Sequence, residues 1–224
     1  MGTLIVIEGL DGCGKSTQLE ILCKRLKDAG KSVKEVSFPD YDAPSCAPIK
    51  MYLAGEFGTK PGDVNAYAAS SFYAVDRFSS YKRNWERFYK DGGTVVCGRY
   101  VTSNAVHQAS KMEADKQDSF LDWLVDYEYN KIGIPAPDLV IFLDMPNEAS
   151  KKMLENRYKG DMAKKDIHER DEAYRNACQD AARYAAKKWG WITVKCTDGD
   201  TIRTIDDIAD EIFSIVTKYL NGEF

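Results

Sequence analysis

Residues 3–17 read "TLIVIEGLDGCGKST". An aliphatic run from Leu4 to Glu8 is followed at once by a loop carrying Gly9, Gly12 and Gly14, and then by Lys15, Ser16 and Thr17. A short apolar run ended by glycine predicts a buried strand. Beyond Gly14, Leu19, Leu22, Leu26 and Ala29 recur at three and four residues, which predicts a helix that Gly30 stops. Glycine permits tight turns and a close approach of ligand to backbone. Gly9, Gly14, Lys15 and Ser16 fill the spacing G-x-x-x-x-G-K-[ST], in which main-chain N–H groups and a helix N-terminus wrap an anion. In that pattern the lysine reaches the β- and γ-phosphates and the serine hydroxyl holds Mg²⁺. Gly9, Leu10, Asp11, Gly12, Cys13, Gly14, Lys15, Ser16 and Thr17 are therefore expected to bind ATP, with Mg²⁺ as cofactor. Cys13 reads as a small loop residue, since no base is indicated beside it.

Outward from this loop the chain alternates between strand and helix patterns. "SVKEVSF" is a second strand, ended by Pro39. Asp63 to Lys90 predicts one long helix with Tyr67, Ser71, Ala74, Phe78, Tyr81, Trp85 and Phe88 along one stripe. "GGTVVCG", "DLVIFLD" and "WITVKC" are three further strands, with a very polar stretch, Lys151 to Arg175, between the last two. A last helix carries Ile205, Ile208, Ile212, Ile215 and Tyr219 on one side, and Thr204 with Asp207 predicts a capping box at its start. Aliphatic strands alternating with amphipathic helices imply parallel strands covered on both faces. No repeat, low-complexity tract or linker interrupts the pattern, so residues 1–224 are expected to form one domain.

Composition narrows the function. With 31 basic and 35 acidic residues the net charge is −4, which argues against a nucleic-acid partner. The six cysteines form no C-x-x-C pair and there are only two histidines, so no zinc spacing exists. Reduced thiols, no leader pattern and no apolar run near the ~20 residues of a membrane span lead us to expect a cytoplasmic protein. A GTPase should carry N-K-x-D; "NKIG" at Asn130 lacks the aspartate. A large ATPase needs more chain, whereas a small kinase fits 224 residues.

Five stretches, in order, resemble the thymidylate kinases: "IEGLDGCGKSTQ", "SFPDYD", "SSFYAVDR", "VVCGRYVTSNAVHQ" and the polar "NRYKGDMAKKDIHERDEAY". The resemblance spans nearly the whole chain. It implies an α/β, three-layer P-loop kinase fold, a five-stranded parallel sheet flanked by helices, with a short lid at about residues 157–166. It implies transfer of phosphate from MgATP to dTMP, toward dTTP, in a homodimer. It further implies an acceptor site. Tyr73, one helical turn before Arg77, would stack on thymine while Arg77 contacts the nucleotide; Phe72 points away and is expected in the core. Arg99 would grip the dTMP phosphate with Tyr41 helping, Asn104 would read the base edge, and Gln108 would assist. Asp11 would serve the acceptor sugar and metal. His107 falls near the family's sugar-facing ring position but reads more simply as structural. Lys15, Arg99, Asp11 and the lid residue Arg157 are the expected catalytic group, with Lys159, Lys164 or Lys165 adding charge; Gly12 stands where some members carry an arginine. Ser16, Asp11 and Glu169 are the expected metal residues, and Asp166 is a further lid acid. One departure stands out: Gly98 replaces the family's aspartate before Arg99, which shifts weight to Asp11, with Glu8 in reserve. Asp144 resembles a Walker B acid by position only. A kinase for another acceptor, such as a deoxynucleoside, and a nucleotide-binding regulator without turnover are the alternatives.

Overall fold

The computed structural model describes residues 1–158, 168 and 171–223. All five expected strands form: β1 (Thr3–Gly9), β2 (Val33–Ser37), β3 (Thr94–Gly98), β4 (Leu139–Asp144) and β5 (Ile192–Lys195). They pair in parallel in the order β2-β3-β1-β4-β5, which places β1 at the centre.

Side chains alternate across a strand, so β1 serves two cores. Leu4 and Val6 join Val95, Cys97, Val140 and Phe142 on one face. That face is covered by α5 (Val101–His107), α6 (Ala114–Leu124), the end of the Ala66–Lys90 helix and α8 (Glu172–Lys188). Ile5 and Ile7 join Val96, Ile141 and Leu143 on the other, under α1 (Lys15–Asp28) and α9 (Ile205–Leu220). Both faces being buried is why these strands read as aliphatic runs. Thr204 caps α9 by accepting from Asp207 N at 3.1 Å, as expected; the Asp207 carboxylate accepts from the Thr204 hydroxyl at 2.6 Å.

Asp63 lies in a 3₁₀ turn, and the long helix starts after it. Its first part, α3 (Ala66–Ser80), is capped by Asn65, whose Oδ1 accepts from Ala68 N at 2.9 Å. A π-helical turn, Tyr81–Trp85, follows and leads into α4 (Glu86–Lys90). Rows of residues four apart drift around a straight α-helix; the wider π turn corrects this and keeps Tyr81, Trp85 and Tyr89 all buried. The expected aromatic stripe is corrected in the first half: Tyr67 and Phe78 are each 41% exposed. The row facing inward is Ala66, Ala69, Ser70, Ala74 and Arg77, small residues that let α3 pack closely around one long cation. Phe72 packs with Tyr52 and Phe57 in a small separate cluster, partly buried.

Two further helices complete the frame, α2 (Ala47–Ala54) after the Pro39 turn and α7 (Asn147–Tyr158) after β4. Thr197–Asp198 and Thr201–Ile202 form a small antiparallel pair, β6 and β7. Arg157 sits in the last turn of α7. The greater part of the expected lid, with Lys159, Lys164, Lys165, Asp166 and Glu169, lies outside the described residues. Among the described residues no helix is long and apolar enough to cross a membrane.

Candidate active site

The carboxyl ends of β1 and β3 lie side by side, with Ile7 opposite Gly98. The connections leaving these two strands run to opposite sides of the sheet, and at such a switch point a crevice opens beyond the strand ends. β1 runs directly into the glycine-rich loop. Gly12 and Gly14 hold φ of 82° and 89°, which side chains resist. Around the place of a Cβ on Gly14 nothing lies within 4 Å, so the main chain there is open to a ligand. The first N–H groups of α1 have no side-chain cap, and a phosphate is their natural partner. Lys15 Nζ donates to Leu10 O at 2.6 Å, over its own loop. Ser16 and Thr17 are exposed at the start of α1. This donor set fits a nucleoside triphosphate with Mg²⁺, an ion that takes few protein ligands beside phosphate oxygens and water. Cys13 is buried and its thiol is pushed up by that burial, in keeping with a packing role.

Gly12 is glycine for a second reason. A Cβ there would sit 2.7 Å from Ser150 O and 2.8 Å from Leu154 Cγ, both on α7. The helix that carries Arg157 therefore rests directly on the phosphate loop, and no side chain at position 12 could share that space.

Arg99 follows β3 in a left-handed conformation, φ 62°, unusual without glycine. Its N–H donates to Ile7 O at 3.2 Å, and its guanidinium pairs with Asp11. Arg99 Nη1 also meets His107 Nε2 at 3.1 Å and lies 3.9 Å from Glu8 Oε1. Burial alone would push the Asp11 carboxyl up, but Arg99 and then Lys15 outweigh it and hold Asp11 ionised well below the usual carboxylate range. Glu8 is fully buried, accepting from Gly9 N at 2.8 Å and from the Thr102 and Ser103 hydroxyls at 2.7 Å each.

Beside this ion pair lies a cleft of about 530 Å³. Asp11, Tyr41, Tyr73, Arg77, Arg99, Asn104 and Gln108 all line it. Residues from four separate stretches of the chain are thus brought to one cleft. Tyr41, half exposed, sits on the Pro39 turn, and Asp76 clamps that turn to α3 by accepting from Asp40 N at 2.8 Å and Ser45 Oγ at 2.7 Å. Arg77 is buried: Nε and Nη2 form a fork onto Glu128 at 2.7 and 2.6 Å, and Nη1 donates to Tyr100 O at 3.2 Å. Asn104 Nδ2 donates to Glu128 Oε1 at 3.1 Å. Gln108 is fully buried with neither amide atom hydrogen-bonded, and Ser70 Oγ is likewise unpaired among the described residues. Buried polar groups are costly when unsatisfied, and Gln108, which lines the cleft, is suited to a polar ligand there.

Phe38, Pro39, Leu53, Ser103, His107 and His168 line the cleft as well. His107 is three residues beyond Asn104 on α5, a spacing that puts both on one face. His168 carries no such signal, for it arrives from the polar stretch 61 residues after His107. The two imidazoles stack, 5.7 Å apart and 15° from parallel. A guanidinium can only donate, so His107 Nε2 accepts from Arg99 and the ring is neutral. Burial, then Arg99, pushes the His107 pKa well down. His168 Nε2 faces Tyr52 OH at 2.8 Å, and that hydroxyl takes a bond from Lys111 Nζ at 2.8 Å. Burial, then Lys111, lowers His168 to about 3.

Asp144 faces Arg183 through three contacts of 3.1–3.2 Å. Among the described residues no group of three His, Cys, Asp or Glu side chains suits a metal ion. The missing acid at position 98 has a steric counterpart: a Cβ on Gly98 would lie 2.9 Å from Leu19 Cδ2 and 3.2 Å from Ser37 Oγ.

The thymidylate kinase family model matches residues 7–205. A thymidylate kinase of Mycobacterium tuberculosis is 31% identical over 196 residues, 85% of this chain and 90% of that one. One from Danio rerio is 24% identical over 225 residues, covering 99% and 96%. The solved thymidylate kinase of Candida albicans superposes with a TM-score of 0.69 at 22% identity, over 98% of this chain and 93% of that one. The loop, the cleft and these matches agree: the chain is an enzyme of the thymidylate kinase family.

Proposed function

We propose that this enzyme moves the γ-phosphoryl group of MgATP onto the 5′-phosphate of dTMP, giving dTDP. The observation that carries the reading is the single cleft lined by Asp11, Tyr41, Tyr73, Arg77, Arg99, Asn104 and Gln108 beside the phosphate loop. ATP lies along Gly9–Thr17 with its terminal phosphates on Lys15 and the start of α1. Mg²⁺, when bound, neutralises phosphate charge; Ser16 and Asp11 would hold it, directly or through water, with Glu169 as a further candidate. dTMP lies in the cleft with its phosphate toward Arg99, its ring beside Tyr73, and Asn104 and Gln108 on its polar edges.

The acceptor phosphate is already an anion, so no residue need remove a proton. The chain's task is alignment and charge neutralisation, which Lys15, Arg99 and Arg157 supply. Asp11 keeps Arg99 aimed. The close approach of α7 to Gly12 supports a lid-borne cation, since it fills the space a loop arginine would need. A deoxynucleoside acceptor would instead need a base for its hydroxyl. Glu8, the buried acid 3.9 Å from Arg99, already accepts from Gly9 N, Thr102 and Ser103.

We also assign the whole chain to one domain, with a lid at about 157–166, acting in the cytoplasm as a homodimer. The outer face of α3, with Tyr67, Val75 and Phe78 at 41–51% exposure, supports the last point, which light scattering tests. The decisive assay mixes purified protein, MgATP and a panel of nucleosides and monophosphates. Turnover with dTMP is expected; turnover with thymidine alone would reverse the reading, and ATP binding without ADP formation beside any acceptor would favour a regulator.

A further inference from the structure

Glu128 is wholly buried and does not line the cleft, yet two of the cleft's polar residues end on it. Its Oε1 accepts from both Arg77 Nη2 at 2.6 Å and Asn104 Nδ2 at 3.1 Å, while Oε2 takes Arg77 Nε at 2.7 Å. Its own main chain is pinned: Glu128 O accepts from Gly133 N at 3.1 Å and Ile134 N at 3.2 Å, at the end of the π-helical segment Val125–Ile132. The second N–H of Asn104 points to Ser70 O at 3.4 Å. A turned-over amide would set Oδ1 against a carboxylate and a carbonyl, two acceptors, so Asn104 can take only one orientation. It offers the cleft Oδ1, an acceptor. Arg77 spends three of its five N–H groups on Glu128 and Tyr100 O, and those left can only donate.

We propose that Glu128 is the positioning residue that sets base choice: by locking Asn104 as an acceptor beside Arg77 as a donor, it admits pyrimidines with an N3–H and a C4 carbonyl and rejects the 4-amino pyrimidine. Thymine and uracil present a donor at N3 and an acceptor at O4. Cytosine presents the reverse at both atoms and would leave buried groups unpaired, which is what makes hydrogen-bonding sites discriminate. The same pair is indifferent to the 5-methyl group. This inference rests on the proposed dTMP reading.

The test measures kcat/KM for dTMP, dUMP and dCMP with MgATP, alongside thermal unfolding, for the full chain and for Glu128→Gln. A glutamine keeps the volume but can turn an NH₂ toward Asn104 and release its amide to flip. The dTMP-to-dCMP preference is expected to fall by about tenfold or more, while the dTMP-to-dUMP ratio stays within about twofold. A merely structural role would depress all three substrates together; a folded variant with an unchanged dTMP-to-dCMP ratio overturns the inference. Should Glu128→Gln fail to fold, Glu128→Asp decides. It keeps the charge opposite Arg77 but, one methylene shorter, cannot reach both partners, so the preference should drop about threefold or more, and an unchanged ratio again overturns the inference. Absence of dTMP turnover in the unaltered enzyme would instead refute the proposed function.

Discussion

Placing alanine at Gly12 and, separately, at Gly14 separates two demands that the phosphate loop makes on glycine. Both residues have left-handed φ, 82° and 89°. A Cβ in that region costs roughly 1–2 kcal/mol at either site. At Gly14 the cost ends there, because nothing lies within 4 Å of the added atom. At Gly12 the methyl would press on Ser150 O at 2.7 Å and Leu154 Cγ at 2.8 Å. Neither neighbour yields easily: one is backbone and the other belongs to a fully buried leucine. Overpacking of this kind costs typically about 1–3 kcal/mol more. Gly12→Ala should therefore lower Tm by several degrees beyond Gly14→Ala, at roughly 2–4 °C per kcal/mol for a chain of this size. Differential scanning calorimetry without nucleotide reads this directly, free of any effect on ATP. Turnover adds a second readout: α7 must back away from the loop, so Gly12→Ala should lose kcat as position 157 moves. Equal Tm values for the two variants would refute the idea that α7 is seated on the loop.

Lys15→Ala should cut phosphoryl transfer by about 10²-fold or more with Tm nearly unchanged, since the ammonium contacts only its own loop; near-normal rates would defeat the loop assignment. Arg157→Ala should depress kcat more than it raises the KM for dTMP, as expected of a contact made in the transition state; a change in KM alone would remove the lid arginine from the mechanism. His168, held near a pKa of about 3, should make the fold acid-sensitive. Its folded pKa lies below the ordinary value near 6.5, so its contribution is complete above about pH 6.5 and is lost as pH falls toward 3. From pH 7 to pH 5 that loss is about 2 kcal/mol. Urea unfolding at both pH values should show His168→Gln losing less stability than the unaltered chain by about that amount, and parallel losses would contradict the burial of a neutral ring.

The middle of the sheet is legible in the sequence because β1, β3 and β4 are buried on both faces and so appear as aliphatic runs, while the edge strands β2 and β5 are partly exposed and mix apolar with polar residues. The loop is as plain, since glycine spacing and a lysine leave few other solutions. Tyr67 and Phe78 mislead because aromatic spacing suggests burial. α3 turns inward alanines, a serine and Arg77 instead, and only the position of Glu128, fifty-one residues after Arg77, explains why an arginine can be buried there. His168 is hidden for a similar reason. A histidine in a stretch of lysines and acids looks solvated, and nothing local says that its ring lies against His107 and Tyr52.

Gly98 carries the same lesson into the chemistry. Read alone, the glycine before Arg99 suggests a lost catalytic acid. In the fold, the space where that side chain would begin is occupied by Leu19 Cδ2 and Ser37 Oγ, at 2.9 and 3.2 Å from the place of an added Cβ. Glu8 cannot substitute freely, because it holds the start of α5 through Thr102 and Ser103. Asp11 is left as the acid nearest the cleft, already ionised and tied to Arg99. Restoring aspartate at 98 should therefore not raise activity. It would add a carboxylate beside packed apolar atoms and compete with Asp11 for Arg99, the guanidinium proposed to hold the acceptor phosphate. Gly98→Asp is expected to lower both Tm and the affinity for dTMP. A gain in kcat from that change would show that the site lacks an acid after all, and that Asp11 is only a brace for Arg99.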